Sequence, residues 1–94
     1  MFDYSHRNKR WQSLRAAALR RDGGLCQEAK RYGKVVTAEV VHHCWPAEDY
    51  PEYAYCLWNL VCLSGSAHDA MHERVTRRLT PLGEYWKRKR SPPG

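Results

Sequence analysis

The chain has 94 residues, and its 16 Lys and Arg against 10 Asp and Glu leave a formal charge of +6. That length makes one small domain, expected over residues 1–90 with 91–94 as a flexible tail. No apolar run reaches the ~18 residues that a membrane span needs, and the N-terminus has no apolar signal region. The expectation is a soluble, cytoplasmic protein with no membrane partner, and its Cys26, Cys44, Cys56 and Cys62 are then thiols or ligands rather than disulfides.

A thin core is expected, because a chain this short buries only about 60–65% of its unfolded surface. Four Trp, six Tyr and one Phe supply the bulky apolar material. The basic balance attracts polyanions, of which nucleic acid is the commonest.

In chain order, Asn8 to Arg21 reads as a first helix, with Trp11, Leu14, Ala18 and Leu19 on one stripe and Asp22-Gly23-Gly24 as the stop. Arg7, Lys9, Arg10, Arg15, Arg20 and Arg21 load it with positive charge. They form either a solvated face or a strip of phosphate contacts, with Arg10, Arg20 and Arg21 as candidates. Leu25 to Lys34 reads as turn-rich, with a hairpin tip at Lys30–Lys34. The β-branched run from Val35 to Val41 predicts a strand ending at His42-His43.

Trp45 to Trp58 is a loop, barred from regular structure by Pro46 and Pro51, and its density of rings predicts packing. Asn59 to Leu63 reads as a short strand. The pattern Ser66-Ala67-His68-Asp69 has the form of a helix capping box, and His68, Met71, His72, Val75 and Leu79 then share one helical face. Met71, Val75 and Leu79 are assigned to the core on that basis. Thr80-Pro81 starts a last helix running to about Lys89.

Four of the five histidines lie between Val40 and His72. His68 and His72, four apart on a helix, present both imidazoles to one ion, and a His-His pair at the end of a neighbouring strand adds to them. Three imidazole ligands with open positions make a catalytic metal site and favour borderline transition metals. Adjacent strand residues face opposite ways, so one of His42 and His43 reaches the ion and the other turns to the rim. Periodicity leaves open which is which.

His42-His43, Asn59, His68 and His72 resemble the HNH (ββα-metal, His-Me finger) endonucleases. The lead-in from Trp11 to Cys26 is similar to the small phage-type members, and the paired histidines resemble the nuclease domains of DNase colicins. The resemblance implies an α+β fold with a ββα-metal core, flanked by an N-terminal basic helix and a C-terminal helix. It implies a metal-dependent enzyme that hydrolyses DNA phosphodiesters, with His43 as general base and Asn59 pinning the loop that orients it. His42, His68 and His72 would hold one divalent ion. Arg74, Arg77 and Arg78 would contact phosphates near the site. It also implies partners in a phage terminase or packaging assembly.

Two departures from the phage-type pattern carry information. Those relatives commonly hold a structural zinc with two CxxC pairs; here Cys26 remains, while Ala29, Ser64 and Ala67 stand at the other three positions. The structural zinc is therefore expected to be absent, with Trp11, Trp45, Trp58 and Trp86 packing in its place. Where many members use Asp, this chain has His42, which shifts the expected metal from magnesium toward manganese, nickel, cobalt or zinc. Two other readings compete. One is a non-catalytic nucleic-acid-binding module closed by zinc on Cys44, Cys62, His68 and His72. The other is a degenerate HNH fold serving as an interaction part of a packaging complex.

Overall fold

The computed structural model describes residues 2–92, so the last two residues of the expected tail lie outside the described residues. Helix α1 (Lys9–Arg21) forms where the apolar stripe predicts it, with the Asn8 side chain accepting from the Trp11 amide at its start. It ends at Asp22, and Gly23 and Gly24 both adopt positive φ to turn the chain. Helix α4 (Pro81–Lys89) likewise starts at its predicted cap, Thr80, with Pro81 in the first turn.

Between them, strands β1 (Val40–His43) and β2 (Leu60–Leu63) pair antiparallel, His42 opposite Val61 and His43 opposite Leu60. The sheet divides the core in two. Leu60, Cys62 and Val41 pack with Trp11 and Ala18 of α1 on one side. Val61 and Leu63 pack with Cys26, Cys44, Met71 and Trp86 on the other.

Several expectations are corrected. The segment expected as a hairpin tip instead forms α2 (Gln27–Arg31), closed by Gly33 at positive φ. The strand expected from Val35 begins at Val40, because β2 offers only four residues to pair with and the chain turns away at Ser64. Val35 is 81% exposed, and the segment is held by backbone bonds from Cys26 to Val36 and from Ala38 to Gly24. Asn59 lies in a 3-10 turn (Leu57–Asn59) just ahead of β2.

The largest correction concerns the helix expected from Ser66 to Leu79. Helix α3 (Gly65–Asp69) is five residues long and is capped by Ser64, not Ser66. Thr80 stops it by donating from its amide to the Met71 carbonyl and from its hydroxyl to the Ala70 carbonyl. His72 then bridges to Leu79, and the Glu73 amide bonds the Arg78 carbonyl across a tight turn. Val75, expected in the core, stands at the turn with 88% of its surface exposed, whereas Met71 is fully buried.

The loop after β1 is packed, as its rings predict. Trp45, Tyr50, Tyr53 and Trp58 form a chain of edge and stacking contacts, and Lys87 of α4 lies over Trp45 and Tyr50. At the four positions expected from the resemblance to have lost a zinc site, the Cys26 thiol faces the Ser64 hydroxyl at 3.6 Å, and Ala29 and Ala67 pack against the same cluster. Trp45 and Trp86 join them there, and Trp86 donates to Glu28. Trp11 and Trp58 pack elsewhere, so two of the four tryptophans fill this corner.

Candidate active site

His42 and His43 sit on opposite faces of β1, as neighbours in a strand must. His42 turns toward α3, where its ring meets those of His68 and His72 with centroids 5.3 and 5.6 Å away. Although His72 lies beyond the end of α3, the turn that replaces the expected helix keeps its ring beside His42. The three rings that the sequence pattern singled out do meet, through a local structure other than the expected helix.

His42 is 3% exposed, and its Nε2 is buried without a hydrogen-bond partner. An unpaired buried polar atom costs about 1–3 kcal/mol, so it marks a group built for something other than stability. Burial, then the neighbouring His68 and His72, push its pKa down to about 3. His68 and His72 are also lowered, burial again being the main cause. All three rings are thus biased to the neutral form that a metal requires.

Two imidazoles on one tetrahedral ion, with nitrogens about 2 Å from it, would have centroids roughly 5 Å apart. The observed contacts are close to that spacing. Even so, among the described residues no three His, Cys, Asp or Glu donors are already arranged to hold an ion. The rings are gathered but not preset, and His42 supplies the orphaned lone pair. The donor set fits a borderline divalent metal.

His43 occupies a different environment. Its ring stacks on Trp11 at 5.1 Å and touches the edge of Phe2. A carbonyl only accepts, so Nε2–H donates to the Ala54 oxygen at 2.9 Å, which leaves the lone pair on Nδ1. The Tyr4 hydroxyl donates to that lone pair at 3.2 Å. Burial holds the pKa of His43 below the usual imidazole value, partly offset by the Ala54 bond.

Asn59 is fully buried, and every hydrogen bond its side chain makes is to the loop. Its Nδ2 donates to the Trp45 and Tyr53 carbonyls, and its Oδ1 accepts from the Trp45 amide at 2.7 Å. The residue after Tyr53 is Ala54, the partner of His43.

His42, His43, His68 and His72 all line one cleft of about 1060 Å³ that runs along β1. Arg77 and Arg78 line it too, together with Arg15, Lys87 and His6. Arg74 and Arg20 are exposed away from it. Arg10 lies over the Tyr55 ring. Arg21 turns inward, its guanidinium bonded to Asp22 and to the Leu57 and Leu60 carbonyls, so it is engaged within the fold rather than offered to a ligand. Sequence reasoning missed Tyr4 and Ala54, which act through a hydroxyl and a backbone carbonyl and leave no motif. It read Trp11 as core alone.

The four-ligand zinc site of Cys44, Cys62, His68 and His72 does not form. Cys62 packs with α1 on one side of the sheet, whereas Cys44 lies with Met71 on the other.

Two antiparallel strands followed by a short helix, with histidines on the first strand and the helix, define the HNH, or ββα-metal, fold. The chain is similar to the small phage-type members of that class. It superposes on the crystal structure of the HNH endonuclease of the deep-sea thermophilic bacteriophage GVE2 with manganese ion, with a TM-score of 0.65 and 26% sequence identity over 68% of this chain and 70% of that one. No family model matches the sequence, and no curated protein matches it. No helix among the described residues is long and apolar enough to cross a membrane.

Proposed function

We propose that this protein is a metal-dependent HNH endonuclease that hydrolyses DNA phosphodiester bonds. The observation that carries the reading is the division of labour along β1. His42 offers an orphaned nitrogen beside His68 and His72, while His43, on the other face, is held with its lone pair on Nδ1. Similarity to an endonuclease with manganese ion supports the same reading.

In this reading His43 is the general base. Nε2–H is tied to Ala54, so Nδ1 takes the proton of an incoming water as its oxygen attacks phosphorus. The lowered pKa keeps that nitrogen unprotonated at neutral pH. Asn59 acts at one remove, fixing the loop whose carbonyl orients the ring. His42, His68 and His72 would hold one divalent cation, with manganese, nickel, cobalt or zinc favoured over magnesium by the all-nitrogen set. When bound, the cation would supply positive charge for the developing charge on the phosphate and the leaving oxygen. Arg77 and Arg78 line the cleft and would contact backbone phosphates, with Arg74, Arg10 and Arg20 as outlying contacts. The products would carry 5′-phosphate and 3′-hydroxyl ends. Association with a phage packaging assembly is a further part of the proposal, supported by resemblance.

The test is plasmid cleavage across a panel of divalent metals, run beside His43→Ala and His42→Ala. Cleavage is expected with the transition metals and a loss of about 10²- to 10⁴-fold in His43→Ala. Cleavage that persists unchanged in His43→Ala removes the base assignment.

A further inference from the structure

His43 is enclosed on nearly every side, being 5% exposed. Trp11 covers a face of the ring, Phe2 meets it edge-on, and Ala54 takes Nε2–H. The remaining approach, to the lone pair on Nδ1, is occupied by the Tyr4 hydroxyl. A water activated by this base has to stand where that hydroxyl stands, because Nδ1 has a single lone pair.

Tyr4 is set up to leave. It is 53% exposed and belongs to an N-terminal arm that precedes α1. The arm's polar contacts to the body run to the start of α1, from Asn8 to the Asp3 and Ser5 carbonyls and from Gln12 to the Tyr4 and Ser5 carbonyls, and they hold its backbone rather than the Tyr4 side chain. Phe2 anchors its beginning among Tyr4, Trp11, His43 and Tyr55. Both Tyr4 and His6 line the cleft that would receive the substrate. The Tyr4 ring packs against Phe2 and Trp11 but belongs to neither buried cluster, so moving it uncovers the base without dismantling the core.

We propose that Tyr4 is a cap on the base, which DNA entering the cleft displaces before water reaches His43. This rests on the nuclease reading above. Tyr4 acts through His43 and is not itself a catalytic residue. Since displacement accompanies substrate binding, the broken hydrogen bond opposes affinity and leaves the chemical step alone.

The test compares the full chain with Tyr4→Phe, which removes the hydroxyl and keeps the ring, using manganese and a duplex DNA substrate. The expected result is a KM for DNA about 2- to 10-fold lower, the worth of one ordinary hydrogen bond, with kcat unchanged. Nitrogen NMR of the metal-free protein should show the His43 Nδ1 resonance moving toward that of an unbonded imine nitrogen in Tyr4→Phe. A fall in kcat would make the hydroxyl a proton relay and overturn the cap, as would an unchanged KM or an unmoved resonance. If wild type cleaves and Tyr4→Phe gains nothing, the cap alone fails. If neither cleaves with any metal, the nuclease reading fails, and the cap falls with it.

Discussion

Asn59 and His43 hold adjacent carbonyls of one loop, Asn59 donating to Tyr53 and His43 to Ala54. The pairing couples the loop to the sheet, because the Asn59 carbonyl also accepts from the Cys44 amide next to His43. A side chain that never touches the proposed base thus holds the loop to which its ring is bonded.

That coupling makes Asn59→Ala informative. The substitution leaves the Trp45 and Tyr53 carbonyls and the Trp45 amide without their partner. Stability to urea should fall by roughly 3 kcal/mol. At temperatures where the variant is still folded, kcat should fall more than metal affinity does, since the His42 cluster lies on the other face of β1. Equal losses in both would mean that Asn59 serves the fold generally and not the base.

A chelator should leave this fold standing, and added metal should strengthen it. The corner formed by Cys26, Ala29, Ser64 and Ala67 has one thiol and is packed with apolar side chains, so EDTA should leave the melting curve in place. Adding manganese to about 100 times its Kd should stabilise the fold by about 2.7 kcal/mol, and His42→Ala should abolish that gain. Unfolding by chelator alone would show a structural metal elsewhere.

Acid should weaken the metal-free protein through its histidines. His42 has a folded pKa of about 3 against an ordinary 6.5, so below about pH 6.5 the unfolded chain takes up a proton that the folded chain refuses. The stability linked to neutral His42 is therefore fully present above that pH and is lost progressively toward pH 3, at about 1.4 kcal/mol per pH unit. His43, His68 and His72 shift in the same direction and add to the slope. Urea titrations at pH 7, 6, 5 and 4 check this, and His42→Gln should flatten the dependence. A wild-type stability flat over that range would contradict the buried neutral assignment.

Arg77 stands at φ +64, the left-handed region that favours glycine, in the turn that replaced the expected helix. Arg77→Gly should raise stability by up to about 1 kcal/mol by relieving that conformation. The same change should weaken DNA binding and reduce the slope of log affinity against log salt by roughly 1, as expected for one lost phosphate contact. A more stable variant with unaltered salt dependence would take Arg77 out of the DNA contact.

Helix α1 was readable from its stripe and its stop and helix α4 from its Thr80-Pro81 start, and local chemistry is enough to fix such elements. The candidate site was half readable. His42, His43, Asn59, His68 and His72 stand out by residue type and spacing, and the fold gathers them. How it does so was not written locally. The helical spacing of His68 and His72 pointed to one long helix, but Thr80, a dozen residues beyond His68, captures the carbonyls that would have continued it. The strand before His42 was shortened in the same way, by the length of its partner.

The sequence by itself determined which side chains could bind an ion or take a proton, since those are properties of the imidazole wherever it stands. Tertiary structure decided which histidine faces which partner. The pairing of His42 with Val61 and of His43 with Leu60 assigns them to opposite sides of the sheet. It also brought Tyr4 against His43, 39 positions away along the chain, a contact that no local pattern encodes. Register and long-range packing arise from the burial of whole faces at once, so they appear only when the chain has closed on itself.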